Sequence, residues 1–209
     1  MFDEISKEYP EIEADHIIVD IGSARIASRT EDFDVVVTSN LYGDIISDIA
    51  AEMTGSVGLG GSGNIGESFG MFEAIHGTAP DIAGQGIANP SGLLMGAVMM
   101  LNSLGQGDVA EKVHNALLTA LEEGMHTGDL YNVETSSKLL NTQDFAQAVI
   151  DRLGQKPSML PAVDYKNVKE VNMSAAPLSQ TKQDEFVLTG MDIAVAYEGA
   201  PTELADDVN

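Results

Sequence analysis

The sequence predicts an α/β fold, and three observations carry that reading. Asp34–Ser39 is a nearly continuous run of valines, as in a strand buried on both faces. The segment behind it, Gly43–Met53, places Ile45, Ile46, Ile49 and Ala50 at helical spacing. A second succession of strand, loop and helix runs from Met71 through Pro90 into Ser91, and this alternation is the rhythm of α/β proteins. With 209 residues, 44% of them hydrophobic, the chain can bury a core as one large domain or one domain plus part of another, at roughly 100–200 residues per domain.

Residues 2–9 read as the end of an acidic helix, and His16–Val19 alternates like a short strand closed by Asp20. Ile21–Arg29 follows as a short helix. The stretch from Gly55 to Gly66, GSVGLGGSGNIG, holds six glycines in twelve residues and reads as a loop. Met71–His76 is expected to be a short strand, and HGTAPDIAGQGIANP a long loop closed by Pro90. Helices are expected at Ser91–Leu104, Asp108–Gly124 and Thr142–Leu153, with Asp108 and Thr142 as N-caps. Beyond Gly154, Pro157, Pro161 and Pro177 mark a linker or extended crossing arm over residues 154–185. Phe186–Tyr197 alternates like a new strand, so residues 186–209 read as the truncated start of a small accessory α/β domain.

Charge excludes whole classes of partner. Ten Lys plus Arg against 33 Asp plus Glu leave a net charge of −23, which repels nucleic acid and anionic membranes. There is no cysteine, so disulfides, thiolate metal ligands and thiol nucleophiles are ruled out. The N-terminus lacks the basic and apolar regions of a secretory signal, and no segment approaches ~20 uninterrupted apolar residues. A soluble, cytoplasmic protein is expected.

Asp44 and Asp48 stand four apart on an expected helix, so their carboxylates share a face. With Asp20 they would supply three hard oxygen ligands suited to Mg2+ or Mn2+. An acidic pair at this spacing is also what a solvated helix face carries, but Asp44 follows the C-terminal end of a strand, where α/β proteins place ligands. In the long loop, backbone N–H groups around Gly77–Ala79 can cradle a pyrophosphate, His76 can stack on or hydrogen-bond a nucleotide, and Asp81 can accept from ribose hydroxyls. His16, His114 and His126 show no ligand spacing, and Met95, Met99 and Met100 read as core.

The ordered motifs NLYGDIISD, GNIG and FEAIHGTAPDIAGQGIANP, followed by a helix containing Ala97-Val98-Met99-Met100-Leu101, resemble the β-decarboxylating dehydrogenases, which act on isocitrate, 3-isopropylmalate and related 2-hydroxy acids. The resemblance covers residues 1–153, and the tail with VLTGMDIAVAYEG is similar to isocitrate dehydrogenases that carry an extra C-terminal domain. It implies an isopropylmalate dehydrogenase-like fold, of which this chain would be the C-terminal half. Residues 1–54 would belong to the smaller, dimer-forming domain and residues 55–153 to the nucleotide-binding part of the larger one. The positions matching Asp44 and Asp48 would ligate the metal, while Asp20 would reach the metal of the partner subunit in a homodimer with shared active sites. Glu73, His76, Gly77, Thr78 and Ala79 would wrap the adenosine side of the dinucleotide, with Asp81 and Ile82 beside the ribose and Asn89 at the adenine.

Cofactor choice is argued from charge. Members using the 2′-phosphorylated cofactor tend to carry basic or Tyr residues where this chain has Asp81, Ile82, Gly128 and Asn132. A carboxylate at Asp81 would accept from a bare 2′-OH and repel a phosphate, so NAD is expected over NADP. Arg29 argues the other way, at a position from which the neighbouring subunit can reach that phosphate. The family's proton-transferring Tyr and Lys and its substrate-binding arginines would lie upstream, since only Arg25, Arg29 and Arg152 are present here. No catalytic residue is therefore assigned within the chain, and the segment alone is expected to be inactive. Other readings are a 3-isopropylmalate dehydrogenase, a non-catalytic subunit binding nucleotide or metal, and a generic acidic cation-binding protein.

Overall fold

The structure is a computed structural model that describes residues 2–66 and 69–165. These belong to a compact unit, Met1–Ser174. The expected strand at Phe186–Tyr197 and the accessory domain at residues 186–209 lie outside the described residues.

The chain opens with a short helix α1 (Phe2–Ile5) and then reaches α2 (Val19–Ser28) and α3 (Asn40–Met53), which pack on each other. The expected strand at His16–Val19 is absent; helix α2 begins at Val19, and Asp20 sits in its first turn, where a carboxylate meets the positive end of the helix dipole. Four alternating residues are too few to separate strand from helix entry. Asp34–Ser39 is also not a strand: no ladder forms along it, and Val35 and Val37 are 82% and 75% exposed. A strand exists only through partner backbone, and none among the described residues lies beside this segment.

The glycine run was expected to be irregular, yet half of it is regular structure. Strand β1 (Gly61–Ile65) pairs antiparallel with β2 (Gly70–Ala74), Gly61 opposite Ala74 and Ile65 opposite Gly70. Helix α4 (Ser91–Ser103) lies on this hairpin at backbone-contact distance. A Cβ added at Gly61 would stand 2.8 Å from the Gly96 nitrogen, one at Gly96 3.0 Å from the Glu73 carbonyl oxygen, and one at Gly92 2.5 Å from the Gly60 carbonyl oxygen. Glycine is required there by the neighbouring backbone, and not by loop flexibility.

Helix α5 (Gly107–Glu122) packs on α4 and on α6 (Thr142–Ile150), and a short parallel pair, β3 (Met125–His126) with β4 (Lys138–Leu139), joins the two. Ala116, Leu117, Ala120, Leu140, Phe145, Ala148 and Val149 form the core, with Phe145 fully buried. The expected caps are each displaced. Gln106, not Asp108, precedes α5, and Asn141, not Thr142, caps α6 by accepting from the Asp144 N–H at 2.8 Å. Thr142 instead donates its hydroxyl to the Ala88 carbonyl at 2.5 Å, tying α6 to the end of the long loop.

Residues 156–165 run along α5 and are held by its side chains. Glu122 accepts the backbone N–H groups of Ser158, Met159 and Leu160 at 2.7, 2.9 and 3.1 Å. Led by the Ser158 bond, these push its pKa down to about 2. Asn115 brackets Val163, accepting from its N–H at 2.9 Å and donating to its carbonyl at 3.0 Å. Lys156 pairs with the nearly buried Glu111 at 2.9 Å. No helix among the described residues is long and apolar enough to cross a membrane.

Candidate functional site

Asp44 and Asp48 both lie on α3, four residues apart and exposed, so they project from one face of the helix. Among the described residues neither carboxylate has an ion-pair or hydrogen-bond partner, and an exposed pair of unengaged carboxylates is a suitable part-site for a hard divalent cation. Asp20 accepts from the Ile21 N–H at 2.6 Å and does not join them. No group of three or more acidic or histidine side chains able to hold a metal forms among the described residues of one chain. The three-acid cluster is thus not assembled within a single chain: Asp20 stands on α2 and the pair on α3.

The nucleotide candidates are contiguous on the loop between β2 and α4. Glu73, on β2, accepts from Asn64 Nδ2 across the hairpin at 2.9 Å. His76 is exposed, and its Nδ1 donates to the Gly77 carbonyl at 2.9 Å. Gly77 and Thr78 are exposed, and no atom lies within 4 Å of a Cβ built on Gly77, so a ligand can approach the backbone there. Ala79 takes a left-handed conformation, φ 41°, which for a residue with a Cβ costs on the order of 1–2 kcal/mol. It marks the tight turn that closes when Ile82 N–H bonds to the Ala79 carbonyl at 3.1 Å. Asp81 is exposed, and its main-chain carbonyl accepts from Gln85 Nε2 at 2.7 Å.

Asn89 differs from the rest. It is 7% exposed, its Oδ1 accepts from the Ser91 N–H at the start of α4 at 3.0 Å, and its Nδ2 donates to Asp129 at 2.9 Å. Asp129 also accepts from the hydroxyls of Ser56 and Thr127. Burial would raise the Asp129 pKa, but the bonds from Ser56, Thr127 and Asn89 outweigh it and hold the carboxyl below its usual range. Sequence reasoning missed this aspartate. A Thr-x-Asp just after β3 is legible as a local turn signal, but its partner Ser56 lies 73 residues upstream, beyond any spacing rule.

A cavity of about 300 Å³ between α2, α3 and the extended segment after α2 is lined by Ile26, Phe33, Val36, Ile46 and Ala50 with a few hydroxyls. It has no charged side chain and contains none of the expected site residues.

Comparison with known proteins reports on the same residues. The family model for isocitrate/isopropylmalate dehydrogenase matches residues 1–149. Curated relatives named Isocitrate dehydrogenase [NADP], from Rickettsia bellii and Rickettsia felis, are 54% and 52% identical over the whole of this chain, which spans 44% of their length. A protein of that name from Thermus thermophilus is 37% identical over 97% of the chain and 40% of its own length. Among solved structures, the isocitrate dehydrogenase of Methylococcus capsulatus superimposes with a TM-score of 0.67 at 44% identity, covering 72% of this chain and 43% of that one.

The names overturn the expectation of NAD over NADP, because the relatives that match the chain end to end are NADP enzymes by name. The charge argument gave too much weight to Asp81. An exposed carboxylate acts through water, where a unit charge at 4 Å is worth about 1 kcal/mol before screening by salt. That is too little by itself to exclude a phosphate. With a family model over residues 1–149, relatives half identical along its whole length and a matching fold, this chain belongs to the isocitrate/isopropylmalate dehydrogenase family.

Proposed function

We propose that this chain is part of an NADP-dependent isocitrate dehydrogenase that converts isocitrate to 2-oxoglutarate and CO2 with Mg2+ or Mn2+, as a homodimer with shared active sites. The observation that carries the reading is the exposed, unengaged pair Asp44 and Asp48 on one face of α3, in a chain whose relatives, matched along all of it and 44% of their own length, are named Isocitrate dehydrogenase [NADP]. Two carboxylates from one protomer, with Asp20 from the other, leave coordination positions for water and for the substrate's hydroxyl and carboxylate oxygens. Asp44 and Asp48 would hold the cation, which when bound would supply Lewis-acid polarisation of a substrate oxygen and stabilisation of negative charge developing there. Gly77 and Thr78 present open backbone to the adenosine half of the cofactor, while Ala79 and the Ile82 bond keep the turn fixed before binding, which lowers the ordering cost.

The test is a steady-state assay of the whole enzyme. Isocitrate-dependent reduction of NADP is expected only with Mg2+ or Mn2+, and Asp44→Asn and Asp48→Asn should each lose roughly 100-fold or more in kcat/KM, since each removes a ligand charge outright. Full activity in both variants, or no turnover of isocitrate by the wild type, refutes the assignment.

A further inference from the structure

Three loops that are far apart in sequence meet at one carboxylate. Asp129 takes hydroxyl hydrogen bonds from Ser56, at the entry to the glycine run, and from Thr127, and an amide hydrogen bond from Asn89, at the end of the long loop. All three donors are buried, with Thr127 at 0%, Asn89 at 7% and Ser56 at 8% exposure. Packing leaves no slack. A Cβ on Gly58 would stand 2.9 Å from Asn89 Cβ and 3.2 Å from Asp129 Oδ2, and the Gly58 N–H donates back to Ser56 Oγ at 3.0 Å.

The chemistry of the hub fixes the orientation of Asn89. A carboxylate with a depressed pKa only accepts, so the Asn89 group facing it must be the amide nitrogen. Its oxygen is then turned to the Ser91 N–H, the second residue onward, and starts α4. The end of the loop, where Asn89 leads into α4, is therefore tied to Asp129. Thr142, donating to the Ala88 carbonyl, holds the same corner from α6.

We propose that Asp129 is a positioning residue for the dinucleotide: by holding the Asn89 amide in one orientation, it presets the loop that receives the adenosine half of the cofactor. This rests on the reading of residues 73–89 as the nucleotide loop. Asp129 itself need touch no cofactor atom.

The test separates positioning from plain stability by the split between kinetic constants and by rescue. In the whole enzyme, Asp129→Ala removes the acceptor that holds the Asn89 amide nitrogen, and KM for NADP should rise roughly tenfold or more, while KM for isocitrate and kcat at saturating NADP stay within about twofold. The conservative Asp129→Asn can keep its amide oxygen where Asn89 Nδ2 and the Ser56 hydroxyl both donate, with its nitrogen turned to the Thr127 hydroxyl, so its KM for NADP should stay within about threefold of wild type. If Asp129→Ala does not fold, Thr127→Val, which takes one hydroxyl donor from the carboxylate, carries the test through a rise in KM for NADP of roughly threefold or more. An unchanged KM for NADP in a folded Asp129→Ala, or in Thr127→Val where Asp129→Ala does not fold, overturns the proposal, as does a rise in Asp129→Asn as large as that in Asp129→Ala. Asn89→Ala identifies which idea has failed. If it leaves KM for NADP unchanged, the nucleotide reading of the loop is wrong and the proposal falls with it; if it raises KM while Asp129→Ala does not, Asp129 alone is excluded.

Discussion

Gly92→Ala sets two effects of opposite sign against each other at one atom. In an isolated helix the change is favourable by about 1 kcal/mol, because alanine is the better helix former. In this structure the new methyl would lie 2.5 Å from the Gly60 carbonyl oxygen, 3.2 Å from that of Gly58 and 3.3 Å from Ala74 Cβ. To reach ordinary contact, α4 and the chain entering β1 must part by about 0.9 Å, and since both atoms in the closest contact belong to backbone, no side-chain rotation relieves it. Overpacking of this kind costs typically 1–3 kcal/mol. A contact with backbone that no rotation relieves falls at the upper end of that range, about 2–3 kcal/mol, so the net expectation is a loss of about 1–2 kcal/mol, read as a fall in the thermal midpoint of the full-length protein by roughly 1 °C per kcal/mol, since this chain spans 44% of its relatives' length. Gly128→Ala is the control, because nothing lies within 4 Å of its Cβ and its backbone is not left-handed; its midpoint should not fall. A Gly92→Ala protein as stable as wild type, with the control unchanged, would refute the claim that backbone contact dictates this glycine.

Two further outcomes follow from particular side chains. Glu122 has a folded pKa of about 2 against an ordinary value of 4.5, a depressed carboxyl, so its hold on residues 158–160 is complete above the ordinary value and lost as pH falls toward 2. The protection of the Ser158, Met159 and Leu160 amides, taken as exchange relative to the intrinsic rate at each pH, should fall on that descent, and Glu122→Gln should lower it already at neutral pH; equal protection in the variant would sink the account. Asp81→Asn should change the ratio of kcat/KM for NADP to that for NAD by less than about fivefold, since an exposed charge acts through water. A larger change would restore Asp81 as the selector.

Much of the molecule was legible before any coordinates. Helices α3 to α6 fall close to where apolar periodicity places them, because a stripe at helical spacing needs only an adjacent surface to bury against. The shared face of Asp44 and Asp48 follows from the pitch of a helix, and the loop ending at Pro90 from its punctuation by glycine and proline. The cofactor was misjudged because formal charge was counted without regard to exposure.

What the chain's own text determined is therefore local: where helices run, which side chains share a face, and a strongly acidic charge balance. Tertiary structure alone decided the rest. It made strand β1 out of a glycine run because α4 leaves no room for side chains there, and it left Val35 and Val37 exposed because a strand has no existence without a partner. It also gathered Ser56, Asn89 and Thr127 around Asp129. Periodicity records the interaction of a segment with its immediate surface, whereas close backbone approach and a carboxylate gripped by three buried donors depend on residues tens of positions away, whose proximity exists only after folding.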